Sequence, residues 1–315
     1  MTAADASHVA VIGGTGFLGR NIRARLGDGG GQVLSVARRA ASDGPSVALD
    51  VCAAPPAELA DVLVEHRATV VVNAAGAVWD HTGRGLEESN VVLVEKVRDA
   101  LAKVPWRVRL VQLGTVFEYA RPAEGEYLDE NAPLRPSTPY GRTKLRGSEI
   151  VLDATRAGLL DGVVLRTTTC LGPGMPEPSL LGRVTRVLRE AAARGGPAVV
   201  RLAPLTARRD VVDCRDLADA VAAAARAPVV GRALNIGGGR AVAVRELVDL
   251  VVAVSGVPAT IVEEETATGR SAGVDWLAVG IRAAERLLGW RPRHDLTSTA
   301  EAVWAGIPDQ RHGRA

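Results

Sequence analysis

A doubly wound parallel α/β sheet with a smaller C-terminal lobe is the fold class predicted for this 315-residue chain. Three observations predict it. Short apolar, β-branched runs alternate with helical stretches as far as about Leu171, the pattern of parallel strands covered by helices on both faces. A glycine turn, "IGGTGFLG", joins the first strand to the first helix. Beyond Leu171 the rhythm loosens into Pro-rich "GPGMPEPS", a short strand "AVVRLAP" and a mixed tail, which reads as an appended lobe walling one side of a cleft.

The elements follow in order. "HVAVIGGTGFLGRNIRARL" reads as a buried strand, the glycine turn and a helix; "QVLSVARR" and "SVALDV" are the second and third strands. Pro55 and Pro56 mark the start of the helix "PPAELADVLVEHR", since proline fits the first turn, where its missing N–H is not needed. "ATVVVNAAG" is a β-branched buried strand, "GLEESNVVLVEKVRDALAKV" a long amphipathic helix, and "WRVRLVQLGTVF" the next strand. A loop rich in Pro, Gly and acids runs from Ala120 to Pro136. Then come the helix "YGRTKLRGSEIVLDATRAG", the strand "DGVVLRTTT" and the helix "SLLGRVTRVLREAAARG". "ALNIG", Ala233 to Gly237, reads as a strand returning to the main sheet. Residues 1–170 and 208–238 are expected to form the nucleotide-binding part, and 171–207 and 239–315 the substrate lobe.

Bulk composition excludes several functions. Hydrophobic residues make up 47% and charged residues 23%, ordinary for a globular protein. Net charge is +2, from 38 basic and 36 acidic residues, with the arginines scattered, so no nucleic acid or anionic membrane is expected as partner. Cys52, Cys170 and Cys214 lie far apart, and the five histidines form no helical pair, so neither a disulfide framework nor a metal site is expected. No apolar run has membrane-spanning length and no signal-like segment opens the chain, so a cytoplasmic location is expected.

Gly13, Gly16 and Gly19 space the turn as GxxGxxG, with Thr15, Phe17 and Leu18 between and beside them. Lacking a Cβ, these glycines permit a tight turn and let a pyrophosphate approach the backbone at a helix N-terminus. The second strand ends "SVARR". An acid there would bind a ribose 2′-hydroxyl; Arg38 and Arg39 instead suit a 2′-phosphate, so NADP(H) is expected over NAD, with two solvated arginines as the plain alternative.

"STPYGRTKL" holds the reactive candidates. Ser137 or Thr138 can cap a helix with Pro139 in its first turn, which puts Tyr140 and Lys144 one turn apart on one face. A neighbouring ammonium is expected to lower the phenol's pKa from about 10, bringing it toward acid–base work near neutrality. Tyr-x-x-x-Lys is common by chance; its companions change the weighting. Thr115 ends an inner strand at the carboxyl edge where such sheets hold ligands, and Asn73 does the same, followed by Ala74, Ala75 and Gly76, small enough for a cofactor to lie against the backbone.

Together with "NAAG", "ENAPLRPSTPYGRTK", "VVLRTTTCLGPG", "RRDVVDCRDLADAV", "ALNIGGG" and "LLGWRP", these motifs resemble the extended short-chain dehydrogenase/reductases, a Rossmann-fold family, from Val9 to about Trp304. The resemblance implies a catalytic triad of Thr115, Tyr140 and Lys144, water-mediated support of Lys144 by Asn90, and Asp50 with Val51 on the adenine side of the cofactor. It also implies substrate contacts at Thr115, Val116, Thr169, Arg209 and Arg270, the arginines facing a sugar-nucleotide diphosphate. Thr169 replaces the family's frequent asparagine, which admits other ketones, including a polyketide or other aglycone. The dehydratases of the family carry an Asp-Glu pair directly after the threonine; here Val116 and Phe117 follow, so water elimination is not expected.

"LGTVFEYA…DENAPLRPSTPYGRTKL" resembles the 4-ketoreductases of dTDP- or GDP-linked deoxysugar pathways, and the Ala- and Arg-rich composition resembles actinobacterial sequences, where such enzymes build sugars for antibiotics and other natural products. The expectation is an NADP-dependent reductase of a nucleotide-linked 4-keto-6-deoxyhexose, a homodimer by analogy. An epimerase retaining NAD and a non-catalytic NADP-binding redox sensor stay open as alternatives.

Overall fold

The computed structural model describes residues 8–28, 30, 32–77, 83–264 and 275–306. The first strands are β1 (Val9–Ile12), β2 (Val33–Ala37), β3 (Ser46–Ala48), β4 (Val70–Asn73), β5 (Arg109–Thr115) and β6 (Asp161–Thr167). Three strands that stay outside the main sheet follow: β7 (Thr169–Leu171), β8 (Ala198–Leu202) and β9 (Arg208–Asp213). Then β10 (Arg232–Ile236) returns to it, as "ALNIG" implied. The main sheet runs β10-β6-β5-β4-β1-β2-β3, all parallel. Strand order reverses between β1 and β4, so a crevice opens beyond their carboxyl ends, where this architecture binds nucleotides.

Period-two alternation builds a core on each face. Ala10 and Ile12 of β1 pack toward α2 (Pro56–Glu65), α4 (Leu93–Leu101) and α5 (Pro139–Arg156), through Leu59, Leu63, Val94, Val97 and Val151. Val9 and Val11 point the other way, into a cluster with Ile22 of α1 (Phe17–Gly27), Leu217 and Val221 of α7 (Cys214–Arg226), and Ala284 of α9 (Arg282–Leu288). Each buried Val, Leu or Ile contributes about 1.5–3 kcal/mol.

The long helix predicted after β4 is not continuous. α3 (Gly83–Glu87) passes through a π-helical turn, Glu88–Val92, before α4 begins. Such turns occur where a side chain must be re-aimed, and Asn90 sits in this one.

The second lobe has its own apolar centre, contributed by α6 (Leu180–Arg194), α8 (Val244–Ser255), α10 (Leu296–Ala305) and β8. Its strands β11 (Ala241–Ala243) and β13 (Trp276–Leu277) flank β9, which also pairs with β7, while β12 (Ala259–Glu263) pairs with β8. "DGVVLRTTT" therefore splits: β6 stays in the main sheet and β7 leaves it. The segment 208–238 splits likewise, β9 joining the small sheet while α7 and β10 pack on the main one. In the reverse sense α9 and Trp290 return to the main core, and the Trp290 indole donates to the Asp216 carbonyl at 2.8 Å. Among the described residues no helix is long and apolar enough to cross a membrane.

Candidate active site

The glycine turn is as tight as its spacing implies. Gly13 adopts φ +77°, and a Cβ there would lie 2.8 Å from the Ala75 backbone; on Gly19 it would lie 2.1 Å from the Gly13 carbonyl oxygen. Thr15 is half-buried, Phe17 reaches the second lobe's apolar cluster and Leu18 packs on the main core. Gly16 caps α1 with no side chain, so the first-turn N–H groups have no side-chain partner at that cap. Arg38 and Arg39 are both exposed beyond β2 and form no hydrogen bond or ion pair with a described residue. An open backbone cradle and an uncapped helix start fit the pyrophosphate of a dinucleotide, and Arg38 and Arg39 stand exposed at the end of the neighbouring strand.

The adenine-side residues divide. Asp50 is exposed, and its Oδ1 accepts from the Cys52 N–H at 3.1 Å. Val51 is not available as a side chain: it is 6% exposed and packs in the main core, leaving its backbone to face a ligand.

Asn73 needs the same correction. It is fully buried; its amide donates to Gln112 Oε1 at 2.9 Å, and its Oδ1 accepts from the Ala75 N–H at 3.2 Å. Burial demands that both ends be satisfied, so Asn73 shapes the Ala74–Gly76 backbone instead of touching a cofactor itself. Asn73→Ala should lower stability by about 1–3 kcal/mol in urea unfolding, because Gln112 Oε1 loses its buried donor. A change within error would mean that the loop does not depend on this brace.

Asn90 is 2% exposed. It donates to the Ala77 carbonyl at 3.2 Å and to Thr143 Oγ1 at 3.1 Å, and accepts from the Ala77 N–H at 3.3 Å. Its direct partners are thus the backbone after β4 and helix α5, with no bond to Lys144. Gly76 lies over this spot: a Cβ there would come 2.9 Å from Asn90 Oδ1 and 3.8 Å from Lys144 Nζ.

Thr138, not Ser137, caps α5: its hydroxyl accepts from the Gly141 N–H at 3.0 Å. The helix then brings Tyr140 and Lys144 to the carboxyl end of β5. Lys144 is 7% exposed and donates to the Leu113 carbonyl at 2.6 Å. Tyr140 is half-buried, with its ring edge-on to Phe117 at a 6.2 Å centroid distance, and the Thr115 hydroxyl stands beside the phenol as a hydrogen-bonding neighbour. Thr115 Oγ1 also accepts from the Phe117 N–H at 3.4 Å.

The electrostatics differ from the sequence expectation. Burial pushes the Tyr140 phenol well above its ordinary value; Thr115 pulls it down, Glu118 and Cys170 push it further up, and Lys144 is not among the groups that move it. The reason is that the ammonium is turned to the Leu113 carbonyl. Burial lowers Lys144 itself to about 8, with Glu118 opposing.

The residues expected to face a substrate spread over the turn after β5, β7 and β9. Val116 is 1% exposed within a cluster with Tyr119, Leu128, Leu277 and Val279, so its side chain cannot meet a substrate. Thr169 is exposed at the start of β7. Arg209, in the small sheet, is 5% exposed and donates to the Arg208 carbonyl at 2.9 Å; burial pulls its guanidinium down and Asp275 opposes. Its neighbour Asp210 is fully buried, pushed up to about 7 by burial against the pull of the Gly238, Val279 and Gly239 N–H groups. Arg270 lies outside the described residues.

Several site residues escape the sequence reading: Gln112, Thr143, Ser148, Arg166 and above all Glu118. Glu118 had a readable signal, since "TVFE" is a Thr-x-x-Glu capping box, and the structure forms both of its bonds.

A glycine-turn α/β sheet with a phenol, an ammonium and a threonine hydroxyl at its carboxyl edge defines a dinucleotide-dependent oxidoreductase. Comparison with known proteins agrees. Residues 9–237 match the model of the NAD dependent epimerase/dehydratase family, and the chain belongs to that family. It is 40% identical over 301 residues, 95% of each chain, to a dTDP-6-deoxy-L-talose 4-dehydrogenase (NAD(P)(+)) of Kitasatospora kifunensis. A UDP-glucose 4-epimerase of Azospirillum brasilense is 30% identical, covering 93% of this chain and 89% of that one. Among solved structures, MoeE5 in complex with UDP-glucose and NAD superposes with a TM-score of 0.80 at 26% identity, covering 93% of this chain and 96% of that one. The chain is therefore an NAD(P)-dependent oxidoreductase of a family that includes nucleotide-sugar dehydrogenases and epimerases.

Proposed function

We propose that this enzyme reduces the 4-keto group of a dTDP-linked 6-deoxyhexose with NADPH, and oxidises the C4 hydroxyl in the reverse direction. The observation that carries the reading is the gathering of Thr115, Tyr140 and Lys144 at the carboxyl end of β5, with no acid pair directly behind Thr115. The acid that does follow, Glu118, is fully buried against Arg166 and offers no base for water elimination. The 40% identity to a dTDP-sugar 4-dehydrogenase supports both the nucleotide and the carbon.

Gly13, Gly16, Gly19, Gly76 and the α1 N-terminus would hold the dinucleotide, with Arg38 and Arg39 at its 2′-phosphate and Lys144 toward the nicotinamide end. Bound there, the nicotinamide supplies or accepts the hydride. The Tyr140 hydroxyl gives its proton to the keto oxygen in reduction and takes it back in oxidation. A phenol held above its usual range stays protonated near neutrality, which suits it to the donor role. Thr115 hydrogen-bonds the same oxygen, and Arg209 faces the diphosphate.

Incubation with NADPH and a panel of dTDP- and UDP-linked keto sugars tests the assignment by absorbance at 340 nm, with NMR of the products. Absence of NADPH oxidation with every dTDP-4-keto-6-deoxy sugar would count decisively against it. The epimerase reading keeps support from the 30% identity to a UDP-glucose 4-epimerase. It requires NAD to co-purify with the protein and UDP-glucose to be converted without net cofactor turnover.

A further inference from the structure

A charge that the proposed reaction leaves unused lies beneath the three reactive groups. Glu118 is 0% exposed. Its Oε1 accepts from the Thr115 N–H and from the Ser148 hydroxyl, each at 2.9 Å, and its Oε2 accepts from Arg166 Nε at 2.7 Å. Arg166, 3% exposed, also donates to the Tyr119 hydroxyl at 3.0 Å, which in turn donates to Asn235 at 2.8 Å. Ser148 stands one helical turn beyond Lys144 on α5. The carboxylate is thus wedged between the strand end carrying Thr115 and the helix carrying Tyr140 and Lys144.

Stability is a weak reason for this arrangement. A buried carboxylate–guanidinium pair can usually be replaced by apolar side chains of similar volume at no loss. A neutral acceptor could equally bond the Thr115 N–H. What only a carboxylate supplies here is negative charge at the reactive pair.

We propose that Glu118 is a positioning residue: it fixes Thr115 through the main-chain N–H and turns a negative charge on the Tyr140–Lys144 pair. The proposal deepens, and rests on, the reading of those three residues as the reacting groups. Glu118, in the turn after β5, and the Cys170 thiol of β7 act on the phenol electrostatically, and the Thr115 hydroxyl is its hydrogen-bonding neighbour. Glu118 is the charged group facing the Lys144 ammonium among the described residues, and the Arg166 guanidinium neutralises its far side. At both groups burial sets the direction of the shift, and Glu118 lifts the value. Removing its charge must therefore lower both.

The chain has three lysines, Lys96, Lys103 and Lys144, so the ammonium can be followed directly. In protein labelled with 13C,15N-lysine, NMR titration of the side-chain Cε–Nζ signals, assigned with Lys144→Arg, should show Lys144 titrating at about 8. In Glu118→Gln, which retains an oxygen for the Thr115 N–H, that midpoint should fall by about one pH unit, and the alkaline limb of the NADPH reduction rate should move down too. The double variant Glu118→Gln/Arg166→Met removes both charges, avoids an unpaired buried guanidinium, and should show the same downward move. A folded variant with an unmoved Lys144 midpoint and an unmoved rate limb overturns the proposal, however far kcat falls. A fully active Tyr140→Phe would instead defeat the reading of Tyr140, while a moved Lys144 midpoint would still support the coupling to Glu118.

Discussion

Tyr140→Phe should lower kcat for reduction of a dTDP-4-keto-6-deoxy sugar by about 10²–10⁴-fold, the range that one positioned proton donor contributes. The substitution removes a single oxygen. Phe117 keeps its edge-on ring partner, and the Thr115 hydroxyl keeps its bond from the Phe117 N–H, so the fold should be undisturbed. Binding of NADPH, followed by its fluorescence, should be unchanged, because the cradle is built from the glycine turn and α1. The loss should thus appear in kcat and not in cofactor affinity, the mark of an interaction made in the transition state. Turnover by the variant at the wild-type rate would mean that the proton comes from elsewhere.

Replacing both Arg38 and Arg39 by alanine should weaken NADPH binding by about 10²-fold and leave NADH binding unchanged. A guanidinium–phosphate hydrogen bond contributes about 1.5–3 kcal/mol, and each factor of ten in affinity is about 1.4 kcal/mol. Both side chains are exposed, so salt screens them and the difference should shrink as ionic strength rises. Calorimetric titration of wild type and variant with the two cofactors at low salt measures it. Equal weakening of NADH and NADPH would assign the arginines to something other than the 2′-phosphate. A wild type that prefers NADH would remove the basis for NADP altogether.

How far the sequence could be read depended on whether a feature was local. The helix cap at Thr138 and the one-turn spacing of Tyr140 and Lys144 are properties of adjacent residues, and α5 forms as its residues dictate. The glycine turn is legible for the same reason: positive φ at Gly13 and the contact of Gly19 with the Gly13 carbonyl arise within one short stretch. The misreadings share a different origin. Asn73 looks like an edge ligand until Gln112, on the neighbouring strand, is seen to occupy its amide. Val116 looks like a substrate contact until Leu277 and Val279, far along the chain, close over it. The π turn that aims Asn90 has no local signature in "EESNVV".

By itself, then, the sequence determined the nucleotide-binding class of the fold and the glycine cradle, and it marked Thr115, Tyr140 and Lys144 as the reactive candidates, because hydrophobic period, turn chemistry and helical spacing are written in consecutive residues. The tertiary structure alone decided where the charges act. It turned the Lys144 ammonium to the Leu113 carbonyl, raised the phenol by burial and set Glu118 with Arg166 beneath them. Desolvation and ion pairing depend on what surrounds a group in space, and those neighbours come from strands and helices distant in the chain.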